Sequence, residues 1–359
     1  MQNKILSYLV VIPMMVLSVV PSIYWAIPMP PDGLWFWYVL IAAVFGFTFL
    51  FLDVPLAFKI FSVWSFLNCF FSRGVHISFT CFIWIVMCLY FYWLCLKVKD
   101  WDVIFKAMQA IVLLNIFMLV MQAFTADRLL NFGLERSDHY GVIGQHMQMA
   151  SFSVVYAAML LSFNPINLVV PFFAGIYCHS AWAMISVAIG GILLFWGLPR
   201  MIKRSMVLLI AIFCLGAFSF IGVKYNKVHA NLSTGGRMPV WQKAIELSKQ
   251  HPIAGWGMGN FKTIFPVLGK INDSVPYKTA HNFVVQLIFE FGYLFTAFVV
   301  AYLLLLGARL FVNGLYGPLA GLAMIVSDGM VHFPDRMIQC GLIIVAFLAY
   351  CQRRLQHGT

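Results

Sequence analysis

Residues 76–96 read HISFTCFIWIVMCLYFYWLCL, an unbroken run with no Asp, Glu, Lys or Arg. About 20 such residues, coiled as a helix, cross the hydrocarbon core of a bilayer. Comparable runs recur near 5–26, 34–52, 54–71, 103–124, 147–163, 166–179, 181–199, 206–223, 282–306, 315–332 and 337–351. Together they predict an all-α, polytopic membrane bundle of about twelve helices, forming one domain over 1–359. The runs at 54–71 (with Lys59 inside it) and 166–179 are short enough to be re-entrant or tilted. The first run is too long for a signal-peptide core and no small-residue cleavage site follows it, so it reads as an uncleaved first helix. Composition agrees: 62% of the 359 residues are hydrophobic and 10% charged, against roughly 25% charged in soluble domains. Disorder, a fibrous repeat, a secreted disulfide scaffold and an ordinary cytosolic enzyme are thereby excluded.

The net charge of +11 is large for so few charges, and its placement carries information. With the N-terminus inside, the short cytoplasmic ends hold Lys4, Lys97, Lys99, Lys106, Arg200, Lys203, Arg204, Arg309, Arg353 and Arg354, and the short external loops hold Arg73, Arg128, Arg136 and Arg336. Ten against four satisfies the positive-inside rule and puts both termini in the cytoplasm. The eight cysteines fall in or beside apolar runs without a C-x-x-C pair, as small packing residues do.

The remaining cations concentrate in one long external loop, 224–281. It holds Lys224, Lys227, Arg237, Lys243, Lys249, Lys262, Lys270 and Lys278 against Glu246 and Asp273. Such a patch either binds anionic headgroups or gathers an anionic substrate. Val240, Trp241, Ala244, Ile245 and Leu247 form an apolar stripe that predicts a helix along the membrane surface, ended by His251-Pro252. Arg237 stands just ahead of it, where unpaired backbone N–H groups and a guanidinium together suit phosphate oxygens. Gly255, Gly257 and Gly259, followed by Lys262-Thr263, fit neither nucleotide-loop spacing and read as a tight turn.

The loop ends at His281-Asn282, where the tenth run begins. Asn282, Gln286 and Glu290 are four apart and share one face, and an ionisable Glu290 within the bilayer faces a bundle interior or a wet cavity. His281 at a helix N-terminus is held neutral by the dipole, as a general base must be. Asp328 and His332, also four apart, sit at the external end of the eleventh run. They line the same cavity or serve as packing glue between helices.

Three stretches carry a family resemblance: Gly236-Arg237-Met238-Pro239-Val240-Trp241, His251-Pro252-Ile253-Ala254-Gly255-Trp256-Gly257, and His281-Asn282 with Gln286, Glu290 and Gly292. In this order they resemble the O-antigen ligase / O-antigen polymerase superfamily, which includes protein O-oligosaccharyltransferases. Gly141-Val142-Ile143-Gly144-Gln145-His146 is a fainter match, with Gln145 and His146 as substitutions. The family's Ser-Arg between the seventh and eighth runs is replaced by Cys178-His179-Ser180-Ala181-Trp182. Either His179 or an arginine from elsewhere, Arg136 being the nearest by loop side, then takes the role of that arginine, or the substrate grip differs.

The resemblance implies an enzyme of the bacterial inner membrane. It would move a glycan from an undecaprenyl-pyrophosphate carrier to an acceptor hydroxyl at the periplasmic face, with no metal or other cofactor. His281 would deprotonate the acceptor and Arg237 would stabilise the pyrophosphate in an inverting displacement. Lys243, Lys262 and Lys278 would steer the anionic carrier, and Asn282, Gln286, Glu290, Asp328 and His332 would line the substrate site. The partners implied are the lipid-linked donor, a lipid A core or protein acceptor, and membrane lipids, with no nucleic acid. Ligation onto lipid A core ranks first. Protein O-glycosylation follows, because the chain ends near Arg353-Arg354 with no external C-terminal domain. Polymerisation is third, since no Arg-x10-Gly motif is found at Arg128 or Arg237. A secondary transporter is the alternative from another class, but related halves with midplane sites are not evident: the first half has no copy of the His-Asn stripe.

Overall fold

Helices of unequal length account for the regular structure in the computed structural model, which describes residues 2–18, 35–125, 146–177, 180–197, 237–269, 277–332, 334 and 338–357. In chain order they are α1 (Gln2–Ser18), α2 (Trp35–Phe49), α3 (Leu56–Phe71), α4 (Val75–Lys97), α5 (Trp101–Thr125), α6 (His146–Leu160), α7 (Val169–Tyr177) and α8 (Ala181–Gly197). Then follow α9 (Arg237–Ser248), α10 (Phe261–Leu268), α11 (Phe283–Phe291), α12 (Tyr293–Val312), α13 (Tyr316–Gly329) and α14 (Ile338–His357). Among the described residues there is no strand. The all-helical expectation therefore holds. Among the described residues two helices, α4 and α12, are long and apolar enough to cross a membrane. The run at 206–223 lies outside the described residues.

The central helix is α6. Its residues Phe152 and Val154–Leu160 are almost wholly covered, the pattern of a helix apolar on every side. Packed around it are α5, α7, α8, α13 and α14. Gly321 on α13 meets the Ala158 carbonyl of α6 so closely that a Cβ there would overlap it; small residues at such crossings let helix backbones approach. On the outside, Leu304, Leu305 and Val312 of α12 are exposed, Val312 by 82%. Large apolar side chains pointing outward suit a lipid surround better than water.

One expected element is broken in two. The apolar run 282–306 predicts a single helix, but the chain turns at Gly292, whose φ is +83°. There the N–H of Tyr293 leaves the helical ladder and donates to the Pro252 carbonyl at 2.8 Å. A Cβ at Gly292 would run into the Ile253 carbonyl, so glycine is what lets the loop lie against the break. The polar stripe consequently belongs to α11, a short helix of nine residues.

Candidate active site

Assembly of the site begins with α9. Its stripe is buried at Val240, Ala244 and Leu247, with Trp241 and Ile245 half-covered, and it packs on Phe261, Phe265, Phe289 and Trp256. The helix begins at Arg237 itself rather than after it, and it is docked onto protein: Trp241 Nε1 donates to the Ala280 carbonyl at 2.6 Å. Beyond α9, the Trp256 indole donates to the Leu247 carbonyl at 3.1 Å, and the His251 ring lies edge-on to it with centroids 4.3 Å apart. The His251-Pro252 motif thus closes a turn.

Gly255, Gly257 and Gly259 all have positive φ, at +67°, +96° and +75°. This is the tight backbone passage their spacing predicts. Trp256 N–H donates to the Phe289 carbonyl at 2.8 Å and Gly257 N–H to the Glu290 carbonyl at 3.1 Å, so the turn satisfies the end of α11. From below, Asn68 on α3 grips the same segment. Its amide donates to the Ala254 carbonyl at 2.6 Å and the Glu290 carbonyl at 3.1 Å, and its carbonyl accepts from Met258 N–H at 2.8 Å. Nothing in the local sequence around Asn68 signals this; its partners are 186, 190 and 222 residues away. Asn260, Ser72 and Ser78 complete the grip, with Asn260 donating to Ser72 Oγ at 2.7 Å and Ser78 donating to the Met258 carbonyl at 2.8 Å.

His281 is the only non-glycine residue with positive φ among the described residues, at +52°. That region costs an L-residue about 1 kcal/mol or more and persists only when neighbours enforce it. They do so on both sides. Ala280 donates its N–H to Gln286 Oε1 at 2.7 Å while its carbonyl is held by Trp241, and Asn282 caps α11 by accepting from Val285 N–H at 3.1 Å. Gln286 in turn donates to Glu290 Oε1 at 2.6 Å. The stripe predicted to line substrate therefore has internal partners: Asn282, Gln286 and Glu290 build the platform that aims His281.

Arg237 and the end of α13 complete the arrangement. Arg237 Nη1 donates to the Val331 carbonyl at 2.6 Å, next to His332, whose Nδ1 lies 2.6 Å from Asp328 Oδ1. Asp328 is 0% and His332 3% exposed. Burial, then the charges of Arg237 and His332, push the His281 pKa down to about 3. A buried imidazole beside a cation resists becoming one itself. Burial also lowers Arg237's pKa, opposed by Tyr277. Arg237, His281 and the Asp328–His332 pair, far apart from one another in sequence, thus meet at one end of the bundle.

The lysines stand differently. Lys243 pairs with Glu246 at 2.9 Å, Lys262 is exposed on α10, and Lys278 is exposed three residues before His281. Arg237 and His332 act electrostatically on His281. Arg136 and His179 lie outside the described residues. Among the described residues no three His, Cys, Asp or Glu side chains cluster as metal ligands do.

Residues 166–300 match the family model described as O-antigen ligase. The match spans Arg237, the glycine turn, His281-Asn282 and Glu290, and it stops short of Asp328 and His332. It bears out, over that stretch, the resemblance carried by the motifs. No curated protein matches the chain.

Proposed function

Because residues 166–300 carry the O-antigen ligase family's pattern, we propose that this protein transfers a glycan from an undecaprenyl-pyrophosphate carrier to an acceptor hydroxyl. The reaction takes place at the periplasmic face of the bacterial inner membrane, with both chain termini in the cytoplasm. One observation carries the reading: a half-buried His281, its pKa pushed down by burial and by Arg237 and His332, and the guanidinium of Arg237 are brought together at the end of α13. A neutral imidazole accepts a proton, and a guanidinium meets phosphate oxygens with a fork of donors.

In the proposed step the acceptor oxygen attacks the anomeric carbon of the donor while its proton passes to His281. The bond from that carbon to the pyrophosphate oxygen breaks, and the lipid pyrophosphate leaves as an anion beside Arg237. Attack opposite the leaving group inverts the anomeric centre. Arg237 stabilises charge as it builds, in a site where burial strengthens the interaction. Asn282, Gln286 and Glu290 hold His281 in its strained conformation, and the Asp328–His332 pair belongs to the same site. No metal is assigned a part. Lys262 and Lys278, on the exposed rim, steer the anionic carrier. Arg136 or His179 is proposed to take the role of the family's missing arginine.

The acceptor proposed first is a lipid A core sugar; a protein hydroxyl is second and a growing carrier-linked glycan third. Deleting the gene and inspecting both lipopolysaccharide banding and glycoproteins separates these. Loss of capped lipopolysaccharide with intact glycoproteins supports ligation, and the reverse outcome supports protein glycosylation. Capped lipopolysaccharide shortened to single repeats supports polymerisation. If all three stay normal, the transferase reading fails.

A further inference from the structure

The turn between α3 and α4 holds a cation that the proposed transfer step does not use. Arg73, exposed at its centre, lies over the indole of Trp256, with 4.9 Å between its guanidinium carbon and the ring centroid. The π face of the ring attracts the cation, and the in-plane N–H donors of a guanidinium held this way stay available to another partner. Among the described residues no carboxylate pairs with it. His251, edge-on to the same indole, is held below the ordinary imidazole range by burial and then by the charge of Arg73. Lys249, two residues before His251, and Lys262, two residues after Asn260, are both exposed. Asn260 donates to Ser72, the neighbour of Arg73, at 2.7 Å. The charge gathered around this turn is therefore of one sign.

An apolar surface leads up to it. Ile60, Val63, Leu67, Phe70 and Phe71 are all exposed, Phe71 by 68%, and steps of three or four residues set them along one side of α3. The 16 residues of α3 cover about 24 Å, more than the roughly 15 Å of a single leaflet's hydrocarbon. The stripe is thus long enough to carry an acyl chain over its whole length. It ends at Phe71, two residues before Arg73. A diacyl lipid laid along it brings its phosphate to the guanidinium, where a fork of N–H donors suits phosphate oxygens.

We propose that Arg73 and the exposed stripe of α3 form a binding site for an anionic membrane phospholipid, with its phosphate on Arg73 and one acyl chain along residues 60–71. The site goes beyond the transferase reading and does not depend on it. An ammonium headgroup would meet Lys249 and Lys262 as like charges, so phosphatidylglycerol fits where phosphatidylethanolamine does not. The lipid is also tied to the candidate active site, because the indole under Arg73 stacks on Phe289 of α11 with centroids 6.1 Å apart. A ligand held there by the folded chain stabilises that joint by mass action.

Native mass spectrometry of the full-length protein, released from detergent with defined lipids added, reads the site directly. The wild type is expected to retain phosphatidylglycerol more tightly than phosphatidylethanolamine, and inorganic phosphate is expected not to displace it. Arg73→Gln should weaken retention about tenfold, the size of one hydrogen bond to a charged group. Leu67→Gln, an exposed change on the stripe, is expected to act in the same direction. Lys106→Gln, which removes an exposed cation from α5, should leave retention unchanged. In thermal melts phosphatidylglycerol is expected to raise the midpoint of the wild type more than that of Arg73→Gln, and melts in lipid-free detergent check that each variant is folded. Equal retention of the two phospholipids, an equal loss in Lys106→Gln, or unchanged retention in folded Arg73→Gln overturns the proposal. Displacement by inorganic phosphate overturns it in favour of a bare phosphate site. Displacement by polyprenyl phosphate at concentrations below those of phosphatidylglycerol overturns it in favour of an isoprenoid lipid.

Discussion

His281 shows at the residue scale how a side chain's chemistry is set by what surrounds it. Its pKa of about 3 places its titration far below the ordinary imidazole range. Between pH 5 and 8 its ring resonances are expected not to shift in an NMR titration; a midpoint near 6.5 would show that the burial and cationic neighbours do not act on it. The sign for stability follows from the same shift. An unfolded chain protonates this histidine below about pH 6.5 and the folded chain does not until about pH 3, so folding loses stability as pH falls through that window. Relative to wild type, His281→Gln is expected to gain stability at pH 5 compared with pH 7.5 in thermal melts. Activity moves the other way: His281→Ala should lose about 10²–10⁴-fold in transfer at unchanged membrane abundance, the usual worth of a general base. Arg237→Lys keeps the charge and loses the fork, so it is not expected to restore activity that Arg237→Ala removes.

Among the elements, α11 and the 254–260 turn matter because each completes the other. Asn68 supplies three hydrogen bonds to that joint from within α3. Asn68→Leu leaves the Met258 N–H and the Ala254 carbonyl orphaned in a buried place, at about 1–3 kcal/mol for each group. The expected readout is a lowered melting temperature together with lost transfer, although Asn68 touches neither His281 nor Arg237. Gln286→Leu tests the platform more gently. Removing the clamp on Ala280 should lower kcat more than it raises KM, because His281 loses its orientation while the cationic site stays. Equal kcat with a raised KM would point instead to direct contact with substrate. At the α6–α13 crossing, Gly321→Val forces a side chain against the Ala158 backbone, and overpacking of this kind costs about 1–3 kcal/mol. A drop in folded membrane yield measures it.

For the whole molecule, charge and hydropathy divide the labour. The apolar bundle supplies a low-dielectric body, and the polar groups that matter gather at one end of it, where α9, α11 and α13 converge. If the cations there do the electrostatic work, transfer by the purified protein is expected to persist in chelator; loss of activity on chelation, restored by a divalent cation, would contradict that. The membrane-type helices, the basic segment around Arg237 and the order of the family motifs were all determined by the sequence itself. Hydropathy, helical spacing and short motifs are local properties of the chain, and they survive without knowledge of packing. Asn282, Gln286 and Glu290 were legible as one helix face, yet not as the platform beneath His281, since periodicity says which residues share a face and not what they bond to. The break at Gly292, the grip of Asn68, and the meeting of Arg237 with Val331 and His332 were decided only by tertiary structure. Each depends on backbone groups brought together across long stretches of chain, and such pairings are fixed by which helix faces bury one another.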